Sequence, residues 1–172
     1  MLNILLAFFS VFIIITPVFS SDLQYIDGPT GVTVKLNSDG IIKSFVASGE
    51  AELIYDNKKE ERIATQDATF RAKIDISKFV KERLSSEEVM DNLTKIVSQA
   101  TADEKNRLVS SANRELLETQ RTIIKNNSNA ILKGLVVLAT DTNWDKKYVR
   151  VVVGTDEKLM PSADNLKGGQ GK

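Results

Sequence analysis

The 172-residue chain contains no cysteine and no histidine. The missing imidazole and thiol remove the commonest general base, the thiolate nucleophile and nearly every zinc site. A serine–histidine–aspartate triad cannot be assembled. Without cysteine there are no disulfides, so an exported chain of this composition must stand on its hydrophobic core. Neither sign of charge is in excess, since 23 Lys and Arg balance 23 Asp and Glu. With no basic surplus to neutralise a phosphate backbone, nucleic acid is not expected as a partner. Phosphate-cradling glycine patterns are also missing, and Gly168-Gly169-Gln170-Gly171 belongs to a polar tail. No motif calls for a cofactor.

What is present begins with MLNILLAFFSVFIIITPVFS, twenty residues without a charged side chain. The apolar run from Ile4 to Ile15 falls short of the about 20 residues that span a bilayer. Val18, Phe19 and Ser20 offer modest residues where a signal peptidase reads. Residues 1–20 are therefore read as a cleaved secretory signal, with an uncleaved anchor as the alternative. The expectation is a periplasmic or secreted protein that keeps no membrane anchor after cleavage. Residues 21–30 read as a leader loop, 31–154 as a single domain, and 155–172 as a disordered tail rich in Gly, Lys and Asp.

Within the domain, Val32 and Val34 alternate with polar residues as a half-buried strand requires, and Asp39-Gly40 suits a tight hairpin. Ser48-Gly49 reads as a break before a further strand at Glu50–Tyr55. Asn57 with Glu60 has the spacing of a capping box and opens a helix expected to run to about Leu84. Ser85 with Glu88, and Thr101 with Glu104, repeat that spacing and open a second and a third helix, or one kinked helix. The second carries Val89, Leu93, Ile96 and Val97, and the third aligns Leu108, Ala112, Leu116 and Thr119. Leu135–Ala139 is a dense apolar run that predicts a central strand, and Tyr148–Val153 predicts the last. The order strands, helices, strands predicts an α+β fold: an antiparallel sheet of about four to five strands with two or three helices on one face.

The first helix carries Ala64, Ala68 and Ala72 at a spacing of four, continued by Ile76, Phe79 and Val80. Small residues let a helix backbone approach a sheet closely, so this stripe predicts the tightest crossing. Phe70 and Ile74 are expected to broaden the same buried face.

The remaining acid–base chemistry rests on carboxylates or a Ser–Lys pair. Glu60-Glu61, Glu87-Glu88 and Asp103-Glu104 fall at helix N-termini, where capping and the helix dipole account for them. Ser77-Lys78 and Lys43-Ser44 lack a surrounding motif. Asp141, Asn143 and Asp145 alternate like the start of a calcium loop, but Lys146 and Val152 stand where that loop needs glycine and glutamate, so a hairpin turn is expected. Trp144, the sole tryptophan, reads either as a ring folded over the sheet edge or, with Tyr148, as a possible partner contact.

Two stretches, IATQDATFRAKIDISKFVKERL and ILKGLVVLATDTNWDKKYVRVVV, together with Val46-Ala47-Ser48-Gly49-Glu50-Ala51 before the helix, carry a resemblance. The chain resembles the small bacterial envelope lipoproteins that include the flagellar outer-membrane disk protein FlgP, and the N-terminal domain of the periplasmic flagellar protein FlgT. The likeness covers roughly residues 41–153 and departs from those proteins in lacking the lipid-bearing cysteine. It implies an envelope location, self-association or protein binding, and no catalytic residues. The expectation is a non-enzymatic accessory or scaffold component. A small-ligand or lipid carrier and a carboxylate-based hydrolase are the alternatives.

Overall fold

The computed structural model describes residues 23–27, 31–100 and 106–160, with the backbone alone for residues 106–109. The expected signal segment, Gly28-Pro29, the Thr101–Glu104 cap and the tail from residue 161 lie outside the described residues. Strands β1 (Leu23–Ile26), β2 (Thr33–Leu36) and β3 (Ile42–Glu52) precede four helices, α1 (Lys58–Lys81), α2 (Glu87–Ala100), α3 (Asn106–Asn126) and α4 (Ser128–Lys133). Strands β4 (Leu135–Asn143) and β5 (Tyr148–Thr155) follow. The five strands form one sheet in the order β1-β2-β3-β5-β4, with every neighbouring pair antiparallel. This is the α+β fold that the element order predicts, with one helix more. Among the described residues, no helix is long and apolar enough to cross a membrane.

Alternation fixes which face of the sheet is covered. Val149, Val151 and Val153 are fully buried against the helices, whereas Arg150 between them is exposed. The helix layer meets the sheet most closely at Gly49. A Cβ built there would lie 2.0 Å from the Ala68 carbonyl oxygen and 2.9 Å from the Ala72 nitrogen. Ala64, Ala68, Ala72, Ile76, Phe79 and Val80 are all buried, as the alanine spacing predicts. The crossing explains both features: a glycine on the strand and alanines on the helix bring backbone against backbone. Ser48-Gly49 therefore does not break the strand but lies inside the 11-residue β3.

Caps and turns follow from local chemistry. Asn57 Oδ1 accepts the Glu60 N–H at 2.9 Å and caps α1, and Glu60 Oε1 accepts from the Ile54 N–H at 3.3 Å. The cap of α2 falls one residue later than the Ser85 spacing predicts: Ser86 Oγ accepts from the Val89 N–H, and the Ser85 hydroxyl is buried without a partner among the described residues. Gly40 adopts φ +77° in the β2–β3 turn, where Asn37 Oδ1 accepts from both Asp39 and Ile41.

Several expectations are corrected. Residues 23–26, expected in a leader loop, form β1, and Asp27 behind them pairs with Arg83 Nε at 2.7 Å. That carboxylate also accepts from the Tyr25 hydroxyl, whose pKa is raised first by burial and then by Asp27. At the other end β5 includes Thr155, and a 3-10 turn over Glu157–Leu159 brings Met160 into the core. Among the described side chains of α3 the buried ones are Leu117, Gln120 and Ile124, so the helix turns a different face inward from the one through Ala112, Leu116 and Thr119; Leu108 lies outside the described side chains. Phe70 is 62% exposed on the side of α1 away from the sheet. Lastly, Leu135–Ala139 lies on an edge strand rather than a central one.

Candidate functional site

The β4–β5 hairpin places both aromatic residues singled out by sequence. Asn143 Oδ1 accepts the Lys146 N–H at 2.8 Å, and Lys147 takes a left-handed φ of 57° to close the turn. The Lys147 carbonyl accepts the Leu53 N–H at 2.9 Å, which ties the turn to the end of β3. This is the hairpin expected in place of a calcium loop. Among the described residues, no group of three carboxylates gathers that could hold a metal ion.

Trp144 is half-buried, packed against the core margin, with Lys58 Nζ 5.9 Å from its ring centroid. The same ammonium pairs with the Glu61 carboxylate at 2.9 Å, and Glu61 also accepts the Thr142 hydroxyl at 3.0 Å. The Lys58 hydrogen bond, then that from Thr142, holds the Glu61 carboxyl below its ordinary pKa. Through these two bonds the carboxylate links the start of α1 to the end of β4. Asp56, Asn57, Lys58 and Trp144 surround a shallow hollow of about 270 Å³.

Tyr148 lines a different hollow, of about 500 Å³, with Glu50, Glu52, Arg71, Lys146 and Lys147. Its ring lies under the Arg150 guanidinium at 5.4 Å, and that guanidinium grips Glu50 at 2.6 Å. Glu50, through hydrogen bonding and charge, raises the Arg150 pKa further. The two aromatics thus belong to adjacent hollows, bridged by an ion pair from Lys147 in one to Asp56 in the other. Both rings carry a cation over them.

Ile54 and Tyr55, next in sequence to Asp56, are 68% and 65% exposed, and further apolar exposure lies elsewhere. Val136, Val137 and Leu138 on β4 are 47%, 49% and 54% exposed, and Ile63 and Phe70 stand on the outer side of α1. Leu138 reaches back over Gly154, where a Cβ would sit 2.6 Å from its Cδ1. Sequence reasoning missed these positions as surface, although Ile63, Phe70 and Ile74 fall at helical spacings of seven and four, opposite the alanine stripe. No family model matches this chain, and neither a curated protein nor a solved structure matches it.

Proposed function

We propose that this protein is an exported, non-enzymatic component of a cell envelope that acts by binding protein or by assembling with itself. The observation that carries the reading is the exposure of large apolar side chains on two separate surfaces, Ile63 and Phe70 on α1 and Val136–Leu138 on β4. Apolar clusters of this kind mark contact sites on a soluble domain. The resemblance to FlgP-like envelope proteins and the apolar leader support the compartment. A carrier would need a cavity between helices and sheet, and the Gly49–Ala68 crossing fills that layer at its centre.

The test is site-specific photocrosslinking of the whole chain in the cells that make it, with the reactive group at position 70 or 136 and at the exposed polar Lys95 on α2 as control. The reading expects crosslinked protein adducts from positions 70 or 136 and none from 95. Adducts from none of these positions, or recovery of the chain in the cytosol with its leader intact, would overturn it.

A further inference from the structure

Strand β4 is nine residues long, lies at the edge of the sheet and, among the described residues, pairs on one side only, with β5. Edge strands normally carry charges or proline that discourage further pairing. Here Leu135-Val136-Val137-Leu138-Ala139-Thr140 is uncharged, and Asp141 is the sole ionisable residue of the strand.

An irregularity in β4 restricts what can pair with it. Val137 lies opposite Val153 and Ala139 opposite Val152, which leaves Leu138 as an extra residue. Before this bulge Leu135 and Val137 share the helix-covered face with Val153, and Val136 shares the open face with Gly154. After it Thr140 and Thr142 are on the helix face, opposite Val151 and Val149, while Ala139 and Asp141 are on the open face. A regular strand laid against β4 loses its face alternation at Leu138, because pairing depends on a strict period of two. A strand with the same extra residue at the same place keeps alternation throughout.

We propose that the outer edge of β4 pairs antiparallel with β4 of a second copy of this chain, joining two five-stranded sheets across a twofold axis. The register that matches every face sets Leu135 against Thr142, Val136 against Asp141, Val137 against Thr140 and Leu138 against Ala139. Each bulge is met by its symmetry mate, and the two Asp141 carboxylates never face each other. The pairing covers Val136 and Leu138 on the open face. Strand β1, the other edge, has only four residues and cannot match this length. The inference rests on the protein-binding reading above and names its partner.

The chain's lack of cysteine makes the register directly testable. Val137→Cys and Thr140→Cys variants of the full chain are prepared singly, mixed and oxidised with diamide. The register expects a covalent dimer from the mixture and none from either variant alone, because residue 137 faces residue 140 and not its own copy. In parallel, sedimentation of the unmodified chain expects a concentration-dependent dimer. Val137→Lys, at a half-exposed site, should raise its dissociation constant about tenfold or more, with the thermal midpoint unchanged at concentrations where the parent chain is itself monomeric. A chain monomeric at all concentrations, equal crosslinking by V137C alone, insensitivity to V137K, or open-ended oligomers each overturn the proposal. If self-pairing fails while photocrosslinks to another protein persist, only this inference falls and the protein-binding reading stands.

Discussion

Gln120 and Ile42 stand 78 positions apart in the chain, yet the Ile42 N–H donates to Gln120 Oε1 at 2.7 Å. From the same amide, Nε2 donates to the Gly40 carbonyl at 3.0 Å. Gln120 is fully buried on α3, and Ile42 opens β3 beside a bulge where Lys43 has no partner in β2. One side-chain amide therefore does what a neighbouring strand would do, offering an acceptor and a donor to groups two residues apart. It also fastens the helical segment to the β2–β3 hairpin.

Gln120→Leu keeps the volume and strands both backbone groups. Each buried unpaired group costs about 1–3 kcal/mol, so a loss of about 2–4 kcal/mol is expected in urea unfolding. Gln120→Glu should behave differently with pH. Burial raises a carboxyl pKa above its ordinary value of about 4.3. The protonated acid can donate to Gly40 and accept from Ile42, so the variant approaches the parent at pH 4. Because the folded state then holds its proton more tightly than the unfolded state, stability falls as pH rises through the folded-state pKa. Urea midpoints of variant and parent at pH 4 and pH 8 give the comparison. A gap that does not widen toward pH 8 contradicts the burial of this amide.

The strand–helix crossing makes a sharper distinction between two glycines. Gly49→Ala drives a methyl into the Ala68 carbonyl and the Ala72 nitrogen, which are helix backbone and cannot rotate away. Gly40→Ala meets the Val97 side chain at 2.6 Å and bears the strain of φ +77°. The second should cost about 1–3 kcal/mol, as a left-handed non-glycine residue does. The first should cost more, since α1 must move as a body. Chemical denaturation of both variants measures the order, and a Gly49→Ala protein as stable as Gly40→Ala would contradict the close crossing.

What the sequence made legible is what local chemistry controls. The alanine stripe, the Asn57 cap and the Gly40 turn depend on residues within a few positions of one another, and each stands where its spacing put it. The failures are tertiary. An apolar run predicts burial, but the place beside β3 is taken by β5 and not by β4, so Val136–Leu138 end on the rim. On α3 the buried stripe includes Gln120, whose amide is satisfied only by a hairpin far away in sequence, and a polar residue disguised the inward face. Trp144 and Tyr148 were found because aromatics are rare here, yet which hollow each would line depended on contacts with α1 and β3.

Export predicts a defined N-terminus. Cleavage after Ser20 leaves Ser21, two residues ahead of Leu23, which pairs with Leu36 at the start of β1. Processing at that point spares the strand, whereas cleavage inside β1 would cut its pairing with β2. N-terminal sequencing of the exported protein should return Ser21, and a mature chain beginning at Met1 would exclude removal of the leader.

Two phenylalanines nine positions apart on one helix test the facing of α1. Phe79 is 1% exposed, and its ring centroid lies 5.6 Å from that of Phe45 in a tilted pair that joins helix to sheet. Truncation there removes a large buried side chain and leaves a cavity that Ile76 and Val80 cannot fill without moving. Phe79→Ala should cost about 3–5 kcal/mol. Phe70 has the same side chain and the same helix but is mostly in water. Its truncation gives up little buried area, and alanine is the better helix former, so Phe70→Ala should stay within about ±0.5 kcal/mol. If Phe70 contacts a partner, the loss appears only in binding, with the unfolding curve of the isolated chain unchanged. Urea melts of the two variants decide the facing: comparable losses, or the greater loss at Phe70, would mean that α1 is rotated about its axis and that its outer apolar stripe is core rather than surface.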